Sequence, residues 1–210
     1  MSRIYLISAA ALVAALLGAL AYFIISDGGM RGDRFAQCRA SNVAGGAGSI
    51  GGPFELIDHT GRAVTDADVI TRPSILYFGY TFCPDVCPID VDRNAIAVDI
   101  LHERGYNAQP VFLTVDPQRD TPEMLSIFVE NLHPDMIGLT GSEEQVRAAA
   151  RAYRAFYQRQ PGQDDDYYLV DHSTFSYLVL PQHGFVEVFR RDMAPDDMAT
   201  ATACFIDAAS

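Results

Sequence analysis

A chain of 210 residues with a formal charge of −12 and a pI near 4.6 cannot neutralise a phosphate backbone, so nucleic acid is excluded as a partner. All fifteen basic residues are arginine, aromatic content is carried by Phe and Tyr without Trp, and 49% of residues are hydrophobic. That is enough for one membrane segment and one domain with a full core, and not for several domains.

Ile4 to Ile25 runs for about 22 residues without a charge, the length of a helix that crosses a ~30 Å hydrocarbon core. A cleaved signal peptide is the rival reading, but its apolar core is shorter, at about 7–15 residues. The expectation is a signal anchor over 4–25 with residues 1–3 in the cytoplasm and the domain outside. Residues 26–52, rich in Gly, Ser, Ala and Asn, read as a flexible tether. The folded domain is expected over 53–210.

Within it, Phe54 to Asp58 alternates as a strand, Asp58-His59-Thr60-Gly61-Arg62 has hairpin-turn chemistry, and Ala63 to Thr65 forms the return strand. Thr65 or Asp66 caps a short helical turn. Ile75 to Tyr80 is a nearly continuous apolar run, as in a strand covered on both faces. Pro84 then suits the first turn of a helix carrying Ile89, Ile96, Ile100 and Leu101 at helical spacing. Pro110 to Val115 is a second buried strand. Thr121 with Pro122 opens a helix to about Leu132, Ile137 to Thr140 is a strand, and Ser142 with Gln145 has capping-box spacing for a helix to about Phe156. Gln160 to Asp166 is a polar loop. Tyr167 to Val170, Phe175 to Leu180 and Phe185 to Arg190 are strands, and Pro195 opens a terminal helix.

The chemistry is concentrated at Cys83 and Cys87, on the turn from the central strand into the first long helix. Free backbone N–H groups there stabilise a thiolate. Two such sulfurs either close as a disulfide or share a soft metal ion; a purely structural pair is the bland alternative. Strands alternating with helices and ending in a hairpin and helix indicate an α/β, thioredoxin-like fold: a central mixed sheet flanked by helices, with an N-terminal hairpin extension. The Cys-x-x-x-Cys spacing departs from thioredoxin, and Asp171-His172-Ser173-Thr174 stands where thioredoxins carry a proline. That fold brings His172 against the cysteine turn, with Asp171 placed to orient its ring. His59, His102, His133 and His183 carry no such signal. Asp116 and Arg119 lie at the carboxyl end of a strand and read as supporting residues.

Gly51-Gly52-Pro53-Phe54, the stretch Phe78 to Pro88, Thr114 to Thr121, Gly138 to Gly141 and Val170 to Ser173 together resemble the Sco/SenC family, over roughly residues 51 to 190. Its members are membrane-anchored, thioredoxin-like copper proteins of cytochrome c oxidase assembly. The resemblance implies that Cys83, Cys87 and His172 bind Cu(I) or Cu(II). It implies as recipient the dinuclear copper centre of oxidase subunit II, with other periplasmic copper chaperones as further partners. It also implies a bacterial inner-membrane location with the domain in the periplasm. A thiol-disulfide oxidoreductase using Cys83 and Cys87, a peroxidase of the same fold, and a redox or copper sensor stand as alternatives. Cys38 and Cys204 lie outside the family pattern. In an oxidising compartment they are expected to pair, pinning the tether to the last helix.

Overall fold

The computed structural model describes Tyr5, residues 12–19, Tyr22, and residues 34–39, 50–161 and 167–210. Met1–Gln37 and Cys38–Ser210 are separate compact units. In the first, residues 12–19 are helical with exposed side chains. No helix among the described residues is long and apolar enough to cross a membrane. More than half of the anchor read over 4–25, the N-terminus before it and most of the tether lie outside the described residues.

The second unit is built on a seven-stranded mixed sheet in the order β2-β1-β5-β4-β3-β8-β9. Its strands are β1 (Glu55–Asp58), β2 (Ala63–Thr65), β3 (Ser74–Gly79), β4 (Gln109–Thr114), β5 (Ile137–Thr140), β8 (Ser176–Leu180) and β9 (Gly184–Phe189). β6 (Tyr157–Arg159) and β7 (Val170–His172) pair antiparallel as a separate two-stranded sheet. The helices are α1 (Asp66–Val69), α2 (Val86–Glu103), α3 (Pro122–Glu130), α4 (Glu143–Ala152) and α5 (Pro195–Ala209).

β3 and β4 lie parallel at the centre and every residue in both is buried, which is why they read as unbroken apolar runs instead of alternating ones. Their faces are nonetheless distinct. Tyr77 and its register partner Phe112 face the side of α2 and α3, through Asp90 and Phe128, whereas Phe78 packs on Tyr153 and Tyr177. α5 packs on α2. The β1–β2 hairpin closes through an Asp58 carboxylate that accepts the Thr60 and Arg62 N–H groups, the Asx-turn chemistry of its sequence.

Three expectations are corrected. The packed chain starts by Ile50, not Pro53: Gly51 N–H donates to the Ala152 carbonyl, and Ile50 packs on the core. α4 stops at Ala152, because Arg154 turns left-handed at φ 52° and sends the chain into β6, which the sequence had hidden at a helix end. The strand read over Tyr167 to Val170 lies later, at Val170–His172, so His172 sits on a strand and not in a loop.

Candidate metal centre

β3 ends at Gly79 and delivers the chain to Tyr80, Thr81 and Cys83 at the carboxyl edge of the sheet. α2 begins only at Val86, so Cys83 lies three residues ahead of the helix and Pro84 outside it. The Asp85 side chain makes no capping bond. Instead Cys83 Sγ accepts the Cys87 N–H at 3.4 Å, and the sulfur itself satisfies one of the free N–H groups of the first turn. A loop, and not a shared helix face, therefore brings the two sulfurs together.

Both thiols are free and buried, Cys83 at 7% exposure and Cys87 at 1%. β7 carries His172 over them, and its Nε2 lies 3.2 Å from Cys87 Sγ. One donor atom from each of Cys83, Cys87 and His172 lies within 4.8 Å of the others. Nδ1 of the ring donates to the Ser173 carbonyl at 3.0 Å, so the lone pair is on Nε2, facing the sulfurs. Tyr77 and Tyr80 meet the ring edge-on, at 6.1 and 5.8 Å between centroids. Asp171 does not orient it. Successive strand residues point to opposite faces, and the Asp171 carboxylate is turned outward to accept from Gln160 Nε2 at 2.8 Å.

The two thiols differ in acidity. Burial opposes ionisation at Cys83, but the N–H groups of Cys87, Asp85 and Val86 and the Cys87 thiol outweigh it and bring Cys83 below its ordinary value. At Cys87 burial dominates and pushes the thiol up; hydrogen bonds from the Tyr80 backbone and the Tyr77 hydroxyl only partly offset it. Alkylation of the reduced protein should therefore modify Cys83 well before Cys87, because a larger share of Cys83 is thiolate at any given pH. Peptide mapping after iodoacetamide treatment checks this, and equal labelling of both would contradict the acidity order.

Asp116 and Arg119 form an ion pair at the end of β4. The guanidinium lies 3.6 Å from the Tyr168 ring centroid, 5.0 Å from Phe82 and 5.6 Å from Tyr80, and the Tyr168 hydroxyl donates to Asp116. Tyr80 and Phe82 belong to the cysteine turn and Tyr168 leads into β7. This pair thus ties together the two segments that carry the donors. Asp120 does more than its sequence suggested. Fully buried, it accepts from Thr81 N–H at 3.0 Å, from Thr81 Oγ1 and from Thr114 Oγ1, pinning the cysteine turn to β4, while burial raises its carboxyl above the usual range. Its place inside the Thr114 to Thr121 block was the only signal.

Gly79 is required by contact. A Cβ there would stand 2.8 Å from the Tyr77 ring, 3.0 Å from Cys87 Sγ and 3.0 Å from the Phe112 ring. Gly79→Ala is expected to cost about 1–3 kcal/mol in denaturant unfolding, since all three neighbours are packed; an unchanged midpoint would show that the site yields.

Cys38 and Cys204 are joined by a disulfide, with Cα atoms 5.7 Å apart and a sequence separation of 166.

Comparison with known proteins identifies the family. The family model described as SCO1/SenC matches residues 43–207. SenC of Rhodobacter capsulatus is 55% identical over 177 residues, covering 84% of this chain and 79% of that one. The mitochondrial SCO1 homolog 1 of Arabidopsis thaliana is 42% identical over 154 residues, 73% of this chain but only 46% of that longer protein. The crystal structure of Arabidopsis thaliana ScoI with copper bound superposes with a TM-score of 0.70 at 39% identity, covering 75% of this chain and 99% of that one. With a family match spanning most of the domain and both cysteines and the histidine inside it, this chain belongs to the SCO1/SenC family.

Proposed function

We propose that this protein is a copper carrier in which Cys83, Cys87 and His172 hold the ion and hand it on during assembly of cytochrome c oxidase. The recipient is the dinuclear copper centre of subunit II. The observation that carries the reading is the convergence of two free sulfurs and one imidazole lone pair within 4.8 Å. Two thiolates and one imidazole form a soft, low-coordinate set that suits Cu(I) and can hold Cu(II). Three donors, one of them on a short strand, leave room for an incoming ligand, whereas a closed cage would trap the ion. Copper in the Arabidopsis relative supports the assignment.

In this reading residues 4–25 anchor the chain in a bacterial inner membrane, with the domain in the periplasm. The supporting observation is the uncharged run itself.

A second role as a thiol-disulfide oxidoreductase is favoured by the acidity difference: a low-lying Cys83 beside a raised Cys87 is the asymmetry of an attacking and a resolving cysteine. It is compatible with delivery, because copper loads only onto reduced thiols. The deciding experiment mixes the copper-loaded protein with the copper-free soluble domain of oxidase subunit II and follows the recipient's copper absorption. Transfer at one or two ions per recipient supports delivery. Retention of copper by the donor, with reduction of the recipient's disulfide, would replace it with the reductase role.

A further inference from the structure

At the far end of α2 from the cysteines, a second group of donors converges. Asp99 and His102 are three residues apart and share one face of the last helical turns, the acid-x-x-His spacing that carboxylate-bridged metal proteins use. His133, in the turn that follows α3, completes the group. One donor atom from each of the three lies within 4.8 Å of the others. His102 is 15 residues along the helix from Cys87, about 22 Å at helical rise, so this group is separate from the copper site.

His133 makes the cluster more than a chance meeting of side chains. Its side chain is only 3% exposed, and its Nε2 has no hydrogen-bond partner. Asp99 Oδ1 is 3.3 Å away, within ion-pair distance, but the two make no hydrogen bond. A buried nitrogen left unsatisfied beside an exposed carboxylate calls for an occupant. His102 Nε2 donates to the Ala108 carbonyl at 2.8 Å, so the lone pair this ring can offer a cation is on Nδ1. Asp135 stands 3.9 Å from His102 Nε2, but it is engaged by Arg72 at 3.4 Å and is left out of the set.

We propose that Asp99, His102 and His133 form a second metal site, built of two imidazoles and one carboxylate, for a borderline divalent cation of the zinc(II) or copper(II) type. The donors exclude the thiophilic Cu(I) bound by thiolates. Affinity is limited by one feature. Nδ1 of His133 accepts the Asp135 N–H at 3.0 Å, so coordination through Nε2 moves the ring proton to Nδ1 and gives up that bond. Losing such a supporting partner weakens a site by about 10–100-fold, which places this one below a fully supported two-histidine centre.

Zinc(II) titration of the full-length Cys83→Ser/Cys87→Ser protein, with the Cys38–Cys204 disulfide left intact, by calorimetry tests the proposal, since that protein holds no free thiolate. The expected result is one zinc(II) per chain, lost or weakened at least tenfold by Asp99→Asn and by His102→Gln. Both side chains are at least partly exposed, so neither substitution should prevent folding, which is why they are chosen over the buried His133. In the same protein one equivalent of copper(II) should give an EPR spectrum of nitrogen and oxygen coordination with no thiolate charge-transfer absorption. No saturable zinc(II) site, or one that both substitutions leave untouched, would overturn the proposal and return Asp99 and His133 to a structural pair.

Discussion

His172→Ala is expected to lower copper(II) affinity by at least about 100-fold. It removes a donor outright, where loss of a mere supporting partner costs about 10–100-fold. The side chain contributes in two ways. Its Nε2 lone pair faces the sulfurs, and the Ser173 carbonyl fixes that orientation before any ion arrives. Alanine removes both the donor and the ring that covers Cys87 from the β7 side. Thiol chemistry should survive, because Cys83 owes its low-lying thiol to N–H groups of its own turn and not to the imidazole. Reduction of a small aromatic disulfide by the variant is therefore expected within a few-fold of the parent rate. The two readouts together separate the roles. Copper affinity equal to the parent would remove His172 from the site and leave the reductase reading standing. Parallel loss of both activities would mean that β7 had collapsed onto the cysteine turn.

How far the sequence anticipates this arrangement depends on how local each signal is. The cysteine turn is legible because a buried strand, two prolines and a helical repeat adjoin it. Even so, the helix start is misplaced by two residues, since the capping atom is a sulfur, which propensity does not register. His172 becomes visible only through the fold, which sets a residue 85 positions later against Cys87. Asp171 is misread because neighbouring residues look equivalent until strand alternation assigns them opposite faces. β6 escapes notice for a related reason. Tyr157 is half-buried and Gln158 and Arg159 are exposed, and the break before them depends on a left-handed arginine, for which composition offers no cue. Asp120 and the meeting of His133 with Asp99 and His102 are convergences across distant segments, which spacing within one element does not reveal.

Removing the second cysteine pair should have the largest effect on stability. Cys38 and Cys204 close a loop of 166 residues, which takes in the whole sheet and both sides of the metal site. In the chain-entropy model such a closure restricts the unfolded ensemble by about 5 kcal/mol, and removal of native bridges is generally observed to cost about 2–5 kcal/mol. The native side of the balance changes little, because α5 is already seated by Met198, Ala199, Thr202 and Phe205, each with no exposed surface. Cys38→Ser/Cys204→Ser is thus expected to fold, to keep the copper site, and to unfold at a midpoint lower by about 5–20 °C, at about 2–4 °C per kcal/mol for a domain of this size. Reductant should reproduce the shift in a Cys83→Ser/Cys87→Ser background, where no other cysteines remain. Equal midpoints for bridged and unbridged protein would show that the unfolded chain gains no freedom when the bridge opens. A loss of copper binding alongside the loss of stability would instead show that the bridge supports the site through α5 and α2, and not through the unfolded state alone.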